Sequence, residues 1–512
     1  MDAKSLTQKS TAELIELLLQ KEKELVSQTV ENEKLRFQLA KMLHNQYKRK
    51  SDKVGQAFQA SLFDEAESEE VDEEAVKQAD KEISVAQHTR KKNGRKPLPE
   101  CLERVKKEYD LEGSEKQCAC GHELSRIGEE LSEQLEFIPA KVCVIQHVRY
   151  KYACKQCEQT VKTAEWPKQP IEKSIASPSL LAQILVSKYQ HHLPLHRQEQ
   201  IFKSIGIDLV RNTMSLWVIR CGKLLEPLIT LMQKIQMDYD IAYADETTIQ
   251  VLKEPNKPPS SKSYMWLFVG GSTQQRSFIY QYQPTRAQAV AKEYFASFTG
   301  WLHSDGYAAY TALFNTLPIQ GVHCWAHARR KFADIIKTIK AKKAGLSHWA
   351  VAHIAKLYKI EREAKEKNLN ASEIYQLRQE KSKPLLDEMK RWLDKNIQRT
   401  LPQSPIGQAL SYCLKYWENL IRYIDDGRLE IDNNLSERAI RPFTIGRKNW
   451  TFADTVNGAK ASAAIYSLIE TCKYHQVDTL QYFKQVLEKI PSCKTNEDYS
   501  QLLPFNIVMD SS

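Results

Sequence analysis

The chain of 512 residues contains no apolar run near the roughly 20 residues that a membrane-spanning helix needs. Its first residues, MDAKSLTQKS, also lack the apolar stretch of a secretory signal peptide. Most of the 11 cysteines, an odd number, are scattered, which argues against a disulfide framework and indicates a reducing compartment. We therefore expect a protein that stays in the cytoplasm, where it is made, and has no membrane partner.

The charge of the chain is unevenly distributed. The formal net charge is +10, yet residues 64–74, DEAESEEVDEE, contain eight acidic side chains and no lysine or arginine. The rest of the chain therefore carries +18. A broadly basic body favours an anionic polymer such as nucleic acid as partner, although solubility alone also explains such a charge. The length and the hydrophobic content of 42% indicate a globular protein of three or four units.

The N-terminal region, residues 1–48, reads as a long helix with a heptad pattern. One seam carries Leu18, Leu25, Asn32 and Leu39, and the companion seam carries Leu14, Leu35 and Met42 with Lys21 and Gln28 as polar breaks. An Asn at a core position of a coiled coil fixes register and partner number. We expect self-association into a homo-oligomer through this coiled coil. The alternative is an amphipathic helix that packs on its own chain.

Residues 49–100 read as a flexible linker that is first acidic and then basic. The segment RKKNGRKPLP at 90–99 places Arg95 and Lys96 beside a glycine and before two prolines. We predict that these two residues contact DNA as an arm along phosphates or in a minor groove. A solvated linker is the alternative.

Residues 101–165 have the cysteine spacing of a zinc ribbon. Cys118 and Cys120 lie in CACGH, Cys154 and Cys157 lie in CKQC, and strand-like segments separate the two clusters. Four thiolates can share one tetrahedral, structural Zn²⁺. The first pair has only one intervening residue, so His122 is an alternative ligand. The other alternative is a ribbon without metal.

Residues 170–235 read as a helix-turn-helix domain. The segment HRQEQIFKSIGIDLVRNTMSLWVIRC gives a helix, a turn at Gly206 and a second helix that begins with Arg211 and Asn212. Polar residues at the front of a second helix are typical of DNA reading in the major groove. The alternative is an ordinary pair of packed helices.

From residue 236 the pattern changes to strands. IAYADETTIQVL, YMWLFVGG and SFIYQYQ predict three strands, followed by a helix, a strand at GWLHSDG, a helix and a fifth strand at QGVHCWAH. This is the order of the ribonuclease-H-like α/β fold. We predict its first part at 236–330, a helical insertion at 331–428, its last part at 429–475, and a C-terminal helix and tail at 476–512. The fold class is thus multidomain α+β.

Three acidic residues lie in settings suited to one metal site. Asp245 lies on the first predicted strand, Asp305 follows the fourth, and Glu437 lies on a helix expected to begin near Asn434 or Leu435. Carboxylates bind hard cations such as Mg²⁺ or Mn²⁺, and two ions roughly 4 Å apart can clamp a displacement at phosphorus. Asp432 is the main competitor for the third place. Glu246 would point to the opposite face of the strand, which excludes it.

Basic side chains surround the third acid, as a nucleic-acid backbone requires. They are Arg438, Arg441, Arg447 and Lys448. A second feature, His323, Cys324 and His327 in VHCWAHARRKF, invites a further metal site. The interpretation that we favour is that His327 and Arg330 support the active site or contact phosphate.

Between residues 90 and 485 the chain carries, in order, GRKPLP, KYACKQC, LPLHRQEQIFKSIGI, YADETTIQV, HSDGYAAY, HCWAHARRKF, DNNLSERAIRPFTIGRKNW and AAIYSLIETCKYHQVD. In these motifs the chain resembles the large transposase of insertion-sequence family sixty-six. The resemblance implies a DDE transposase with Asp245, Asp305 and Glu437 as its metal-binding triad. It also implies a zinc-binding ribbon, a helix-turn-helix that reads the ends of the insertion sequence, and a helical insertion before Glu437. The one-residue gap at Cys118-Ala-Cys120 departs from the family's more usual two-residue gap.

We therefore expect an enzyme that cleaves double-stranded DNA at insertion-sequence ends and transfers the strand into target DNA. No Ser, Tyr or Cys nucleophile is needed for this chemistry. A nuclease that cuts without joining and a DNA-binding regulator with a decayed catalytic fold are the two alternatives. Accessory proteins of the same insertion sequence are further possible partners.

Overall fold

The computed structural model describes residues 142–153, 161–163, 167–339 and 345–509, together with single positions between 16 and 39. The chain divides into two units, Glu73–Trp166 and the remainder. The described positions between 16 and 39 are helical and exposed, and they include Lys21, Gln28, Asn32, Leu35 and Leu39 of the heptad pattern. The other residues of that pattern lie outside the described residues.

The smaller unit contains a short antiparallel hairpin. Strand β1 (Lys151–Ala153) pairs with strand β2 (Val161–Thr163), with Tyr152 opposite Lys162. Residues 142–150, which the sequence predicted to be strand-like, are exposed and irregular, and Val144 is 95% exposed. The cysteines of the predicted ribbon, His122, and the basic arm with Arg95 and Lys96 lie outside the described residues.

The predicted helix, glycine turn and helix are present in the larger unit. Helix α1 is Pro178–Tyr189, α2 is Leu195–Ser204 and α3 is Arg211–Met237. Gly206, in the turn before α3, has a φ of +81°, a backbone conformation that only glycine adopts without strain. At 27 residues, α3 is much longer than the second helix of a small helix-turn-helix domain needs to be. The extra length carries it to the sheet that follows.

A six-stranded sheet forms the centre of the larger unit. Its strands are β3 (Ile241–Lys253), β4 (Lys262–Gly270), β5 (Ser277–Gln283), β6 (Gly300–Ser304), β7 (Ile319–His323) and β8 (Ala453–Thr455). The spatial order is β5-β4-β3-β6-β7, and β8 pairs with the second half of β3. Strands β3, β4 and β5 are antiparallel neighbours, whereas β6 and β7 run parallel to β3. The five strands predicted from the sequence are all present, and β8 was missed.

Helices cover both faces of this sheet. Helices α4 (Gln288–Tyr294) and α5 (Ala308–Phe314) pack on one face, where Tyr294 stacks on Phe268 of β4 and Tyr310 contacts Trp266 edge-on. Helices α12 (Asn434–Trp450) and α13 (Val456–Tyr474) pack against β3 and β5. Ser467 of α13 accepts a hydrogen bond from the backbone N–H of Tyr280, so α13 also covers the outer edge of β5.

Between β7 and α12 the chain is helical. The elements are α6 (Trp325–Ile339), α7 (Leu346–Glu366), α8 (Ala371–Leu377), a π-helical turn (Arg378–Ser382), α9 (Lys383–Ile397), α10 (Pro405–Lys415) and α11 (Trp417–Ile421). Helices α14 (Thr479–Lys489) and α15 (Asn496–Ser500) follow α13. The predicted domain boundary between residues 330 and 331 therefore falls inside a helix. Of the helices that the structure describes, none is long and apolar enough to span a membrane.

Candidate active site

Asp245 lies on β3, and Asp305 directly follows β6, the strand that pairs with β3. Tyr243 of β3 pairs with His303 of β6 in a parallel register, and continuing that register by two residues places Asp305 beside Asp245. The backbone N–H of Glu246 donates to Asp245 Oδ1 at 2.8 Å, and that of Tyr307 donates to Asp305 Oδ1 at 2.9 Å. These contacts orient both carboxylates locally.

Glu437 reaches the same place from helix α12. It lies in the first turn and is only 4% exposed. Just before this helix, the side-chain amide of Asn433 donates to the carbonyl of Ala244 at 3.0 Å. Because Ala244 immediately precedes Asp245, this bond links the start of the Glu437 helix directly to the strand of the first acid.

The three carboxylates interact electrostatically. Burial raises the pKa of Asp245 well above its ordinary value, and the nearby charges of Glu246, Glu437 and Asp305 raise it further. Crowded carboxylates with few internal partners are the donor set that a hard divalent cation prefers. Glu437 Oε2 adds to this, because it is buried and no described residue forms a hydrogen bond with it. The donor chemistry of these carboxylates therefore suits Mg²⁺ or Mn²⁺.

Asp432, the competitor for the third place, has a different environment. Its Oδ1 accepts from the backbone N–H of Asn434 at 3.0 Å. Its Oδ2 accepts from the Tyr358 hydroxyl at 3.0 Å and from the side-chain amide of Asn434 at 2.8 Å. Both oxygens of Asp432 thus fix the beginning of α12. This favours Glu437, rather than Asp432, as the third acid beside Asp245 and Asp305.

Glu246 has its own partners on the opposite face of β3. Its carboxylate accepts from Arg286 Nε at 2.6 Å and also from the hydroxyl of Tyr310 on α5. Arg286 in turn lies over the ring of Tyr307, 3.7 Å from its centre. These partners agree with the sequence argument that left Glu246 out of the metal site, although its charge still acts on Asp245.

Helix α6 and the residue before it bring three more side chains to Glu437. His327 Nδ1 lies 3.3 Å from Glu437 Oε1, and Arg330 Nη2 lies 3.5 Å from Oε2. The Cys324 thiol lies 4.0 Å from Oε1. His323 is separate from this group: it is buried between the rings of Phe314 and Tyr416, and burial lowers its pKa to about 3.

Comparison with known protein families identifies the relatives of this chain. Residues 173–461 match the model of the transposase IS66 family. Residues 115–158 match the zinc-finger binding domain of transposase IS66, and residues 467–505 match the IS66 C-terminal element. Residues 34–106 match a model described as the transposase C of IS166 homeodomain. The chain belongs to the IS66 transposase family.

Individual relatives agree with this membership. The uncharacterised protein y4hP of Sinorhizobium fredii is 33% identical over 442 residues, which cover 82% of this chain and 78% of the relative. The uncharacterised protein y4jD of the same organism is 34% identical over 428 residues, which cover 80% of this chain and 81% of the relative. Membership of the IS66 family supports a transposase role, and it implies DNA binding and the use of a divalent metal ion.

The basic residues that the sequence assigned to DNA differ in their surroundings. Arg438 and Lys448 of α12 are exposed, and Arg441 is half-buried. Arg447 Nη1 donates to the hydroxyls of Thr247 at 3.1 Å and Thr248 at 3.0 Å, so part of its guanidinium links α12 to β3. That link is a packing role that the sequence did not reveal.

The start of helix α3 presents the two residues predicted to read DNA. Arg211 and Asn212 are both exposed in its first turn. The backbone N–H of Arg211 donates to Glu199 of α2 at 3.0 Å, which fixes the beginning of α3 against α2. Asn433 and Arg286 are functional neighbours that the sequence analysis missed, because their partners Ala244 and Glu246 are distant in the chain.

Proposed function

We propose that this IS66-family protein is a DDE transposase that cleaves DNA at the ends of its insertion sequence and joins the freed 3′ ends to target DNA. The observation that supports the proposal is the electrostatic influence on Asp245, on β3, of two carboxylates from separate segments: Asp305 after β6 and Glu437 on α12. We assign the sheet to the ribonuclease-H-like fold, with the helices of residues 325–424 as an insertion before α12.

In this proposal, Asp245, Asp305 and Glu437 bind two Mg²⁺ or Mn²⁺ ions. When bound, such ions lower the pKa of the attacking hydroxyl or water and stabilise the charge that develops at phosphorus. The protein contributes the fixed spacing of the carboxylates. Asn433 supports that spacing through its bond to the strand of Asp245. No side chain would need to form a covalent bond to DNA, since the attacking group would be water or a DNA hydroxyl.

We expect Arg330 to contact the DNA substrate. Its side chain is 43% exposed while its guanidinium lies 3.5 Å from Glu437 Oε2. Once Glu437 binds cations, we expect the guanidinium to turn toward a phosphate oxygen, since arginine binds phosphate with two parallel hydrogen bonds. His327 would keep the other oxygen of Glu437 in place.

We propose that DNA is held by several separate basic segments. Arg211 and Asn212 would read the ends of the insertion sequence from α3, and Arg438, Arg441 and Lys448 would contact phosphates beside the triad. Arg447 we assign to the link with β3 rather than to DNA. Further expected parts are the arm with Arg95 and Lys96, structural Zn²⁺ on Cys118, Cys120, Cys154 and Cys157, and a homo-oligomer formed through the N-terminal coiled coil.

The test is a cleavage and joining assay with the full-length protein, Mg²⁺ or Mn²⁺, and DNA that carries the ends of its own insertion sequence. Wild type is compared with Glu437→Gln and Asp432→Asn. We expect cleaved ends and joined products from wild type and from Asp432→Asn, with at least about a 10³-fold loss for Glu437→Gln because a metal ligand is removed.

Three outcomes would count against the proposal. Cleaved ends that never join to target DNA would indicate a nuclease. Sequence-specific binding without cleavage, even with the accessory proteins of the same insertion sequence added, would indicate a regulator. Activity that survives Glu437→Gln but is lost in Asp432→Asn would reassign the third acid.

A further inference from the structure

A second set of metal-binding atoms overlaps the proposed triad. The thiol of Cys324, the imidazole of His327 and the carboxylate of Glu437 each offer one atom, and these atoms lie within 4.8 Å of one another. The chain brings them together from two segments 113 residues apart, the start of α6 and the first turn of α12. Spacing in the sequence alone showed only the Cys-x-x-His half.

The separations are close to those of a tetrahedral zinc site. Metal bonds of about 2.0–2.3 Å at tetrahedral angles place ligand atoms roughly 3.3–3.6 Å apart. His327 Nδ1 lies 3.3 Å from Glu437 Oε1, and Cys324 Sγ lies 4.0 Å from the same oxygen. All three donor atoms lie within 4.8 Å of one another, so side-chain rotations could bring them onto one ion, with the largest shift at the thiol.

Two buried atoms at this place lack hydrogen bonds. Within the described part of the chain, neither His327 Nδ1 nor Glu437 Oε2 has a hydrogen-bond partner, although charged neighbours lie at 3.3 and 3.5 Å. Buried polar atoms normally have hydrogen-bond partners, so two such atoms without partners beside a thiol favour a bound ligand here. A cation would use the lone pair of His327 Nδ1 directly.

Burial and the charges of Asp432 and Glu437 raise the pKa of the Cys324 thiol well above its ordinary value, whereas two backbone N–H groups favour the thiolate. The N–H of Asn433 donates to Sγ at 3.2 Å, and the N–H of His327 is a second backbone donor. Cys324 also directly precedes α6, where the positive end of the helix dipole favours negative charge. Such N–H groups are the usual outer-shell partners of metal-bound sulfur.

The site has an opening to solvent. The His327 side chain is 27% exposed, whereas Glu437 and Cys324 are buried. A cation can enter past the imidazole, and three protein ligands leave a fourth position for water.

We propose that Cys324, His327 and Glu437 bind a thiophilic divalent cation such as Zn²⁺, and that this ion competes with Mg²⁺ for Glu437. Binding of the ion depends only on the three side chains. Its consequence, inhibition of the transposase by withdrawal of Glu437 from Asp245 and Asp305, rests on the proposed function. Hard cations gain nothing from sulfur, so selectivity between the two sites follows from ligand type.

The first test is absorption spectroscopy with Co²⁺, which reports thiolate ligation by a charge-transfer band. Full-length protein is purified with zinc in its ribbon and is then titrated with Co²⁺. Cys324→Ala and His327→Ala should weaken the added band and the cobalt affinity by at least about tenfold. Cys221→Ala, which changes an equally buried thiol on α3, should match wild type. Circular dichroism verifies that each variant is folded.

Two further measurements distinguish a failure of this cation site from a failure of the proposed function. Asp245→Asn should keep the cobalt band even though it is expected to abolish DNA cleavage. Raising Mg²⁺ should weaken cobalt binding in wild type, because both ions need Glu437. A band that is unchanged in folded Cys324→Ala and His327→Ala would overturn the site. Cobalt binding that is indifferent to Mg²⁺ would overturn the competition.

Discussion

The buried arginine of the helical segment offers a sharp test of how Glu437 is positioned. Arg378, in the π-helical turn, is 2% exposed and pairs with both oxygens of Glu361 at 2.9 and 2.6 Å. It also donates to the carbonyls of Tyr423 at 2.7 Å, Asp426 at 2.9 Å and Leu429 at 2.9 Å. These three carbonyls belong to the stretch that leads into α12. Arg378 therefore fixes the approach to the third acid.

Replacing this residue by Met removes every one of those donors at once. Breaking a buried ion pair costs about 3–5 kcal/mol, because the remaining charge is left without compensation. Since the carbonyls lose their partners as well, we expect the upper end of that range for Arg378→Met. The double variant Arg378→Met/Glu361→Gln leaves no buried charge, so its loss should be smaller, about 2 kcal/mol.

Hydrogen–deuterium exchange of residues 423–433 and the thermal midpoint measure this effect. Arg378→Met should speed exchange in that stretch roughly 4,000-fold, the factor that corresponds to about 5 kcal/mol at 1.4 kcal/mol per tenfold. The double variant should recover part of the protection. Exchange and midpoint equal to those of wild type in Arg378→Met would refute the reasoning.

Three further predictions follow from the site. Asn433→Ala should cost about 1–3 kcal/mol and weaken Mn²⁺ binding by calorimetry, because the carbonyl of Ala244 loses its partner; unchanged Mn²⁺ affinity would deny Asn433 a positioning role. Folding raises the pKa of Asp245, so this group makes the metal-free protein less stable as pH rises above the ordinary carboxyl range. In the presence of a chelator, Asp245→Asn should therefore have a higher thermal midpoint than wild type, and the difference should be larger at pH 8 than at pH 5. A difference that does not change with pH would contradict this. Lys448→Ala should reduce the salt dependence of DNA binding by about one unit of slope without changing the thermal midpoint, whereas Arg447→Met should lower the midpoint and leave the slope unchanged.

The order of strands and helices around the triad was predictable because each element carries its own local signal. The apolar, β-branched and aromatic run that became β3 marks a buried strand, and β4 and β5 carry similar runs. The start of α12 was expected near Asn434 and lies there, since its apolar positions repeat with helical spacing. Local patterning of this kind was enough to place all three acids on their elements.

Features made by distant contacts were not predictable from local pattern. Strand β8 has only three residues and becomes a strand because it pairs with Val251 and Lys253 of β3. Residues 142–150 show the opposite error, since they have a strand-like pattern but are exposed and irregular. The thiol of Cys324 is part of a candidate cation site only because it lies near Glu437, which is 113 residues further along the chain.

The most direct test of the account counts the Mn²⁺ ions bound to the protein on DNA with insertion-sequence ends, by electron paramagnetic resonance. Wild type and Asp432→Asn should each bind two ions per protomer. Asp245→Asn, Asp305→Asn and Glu437→Gln should each lose at least one ion, because we expect the three carboxylates to form one site. Ion counts unaffected by Glu437→Gln, or lost on Asp432→Asn, would contradict it.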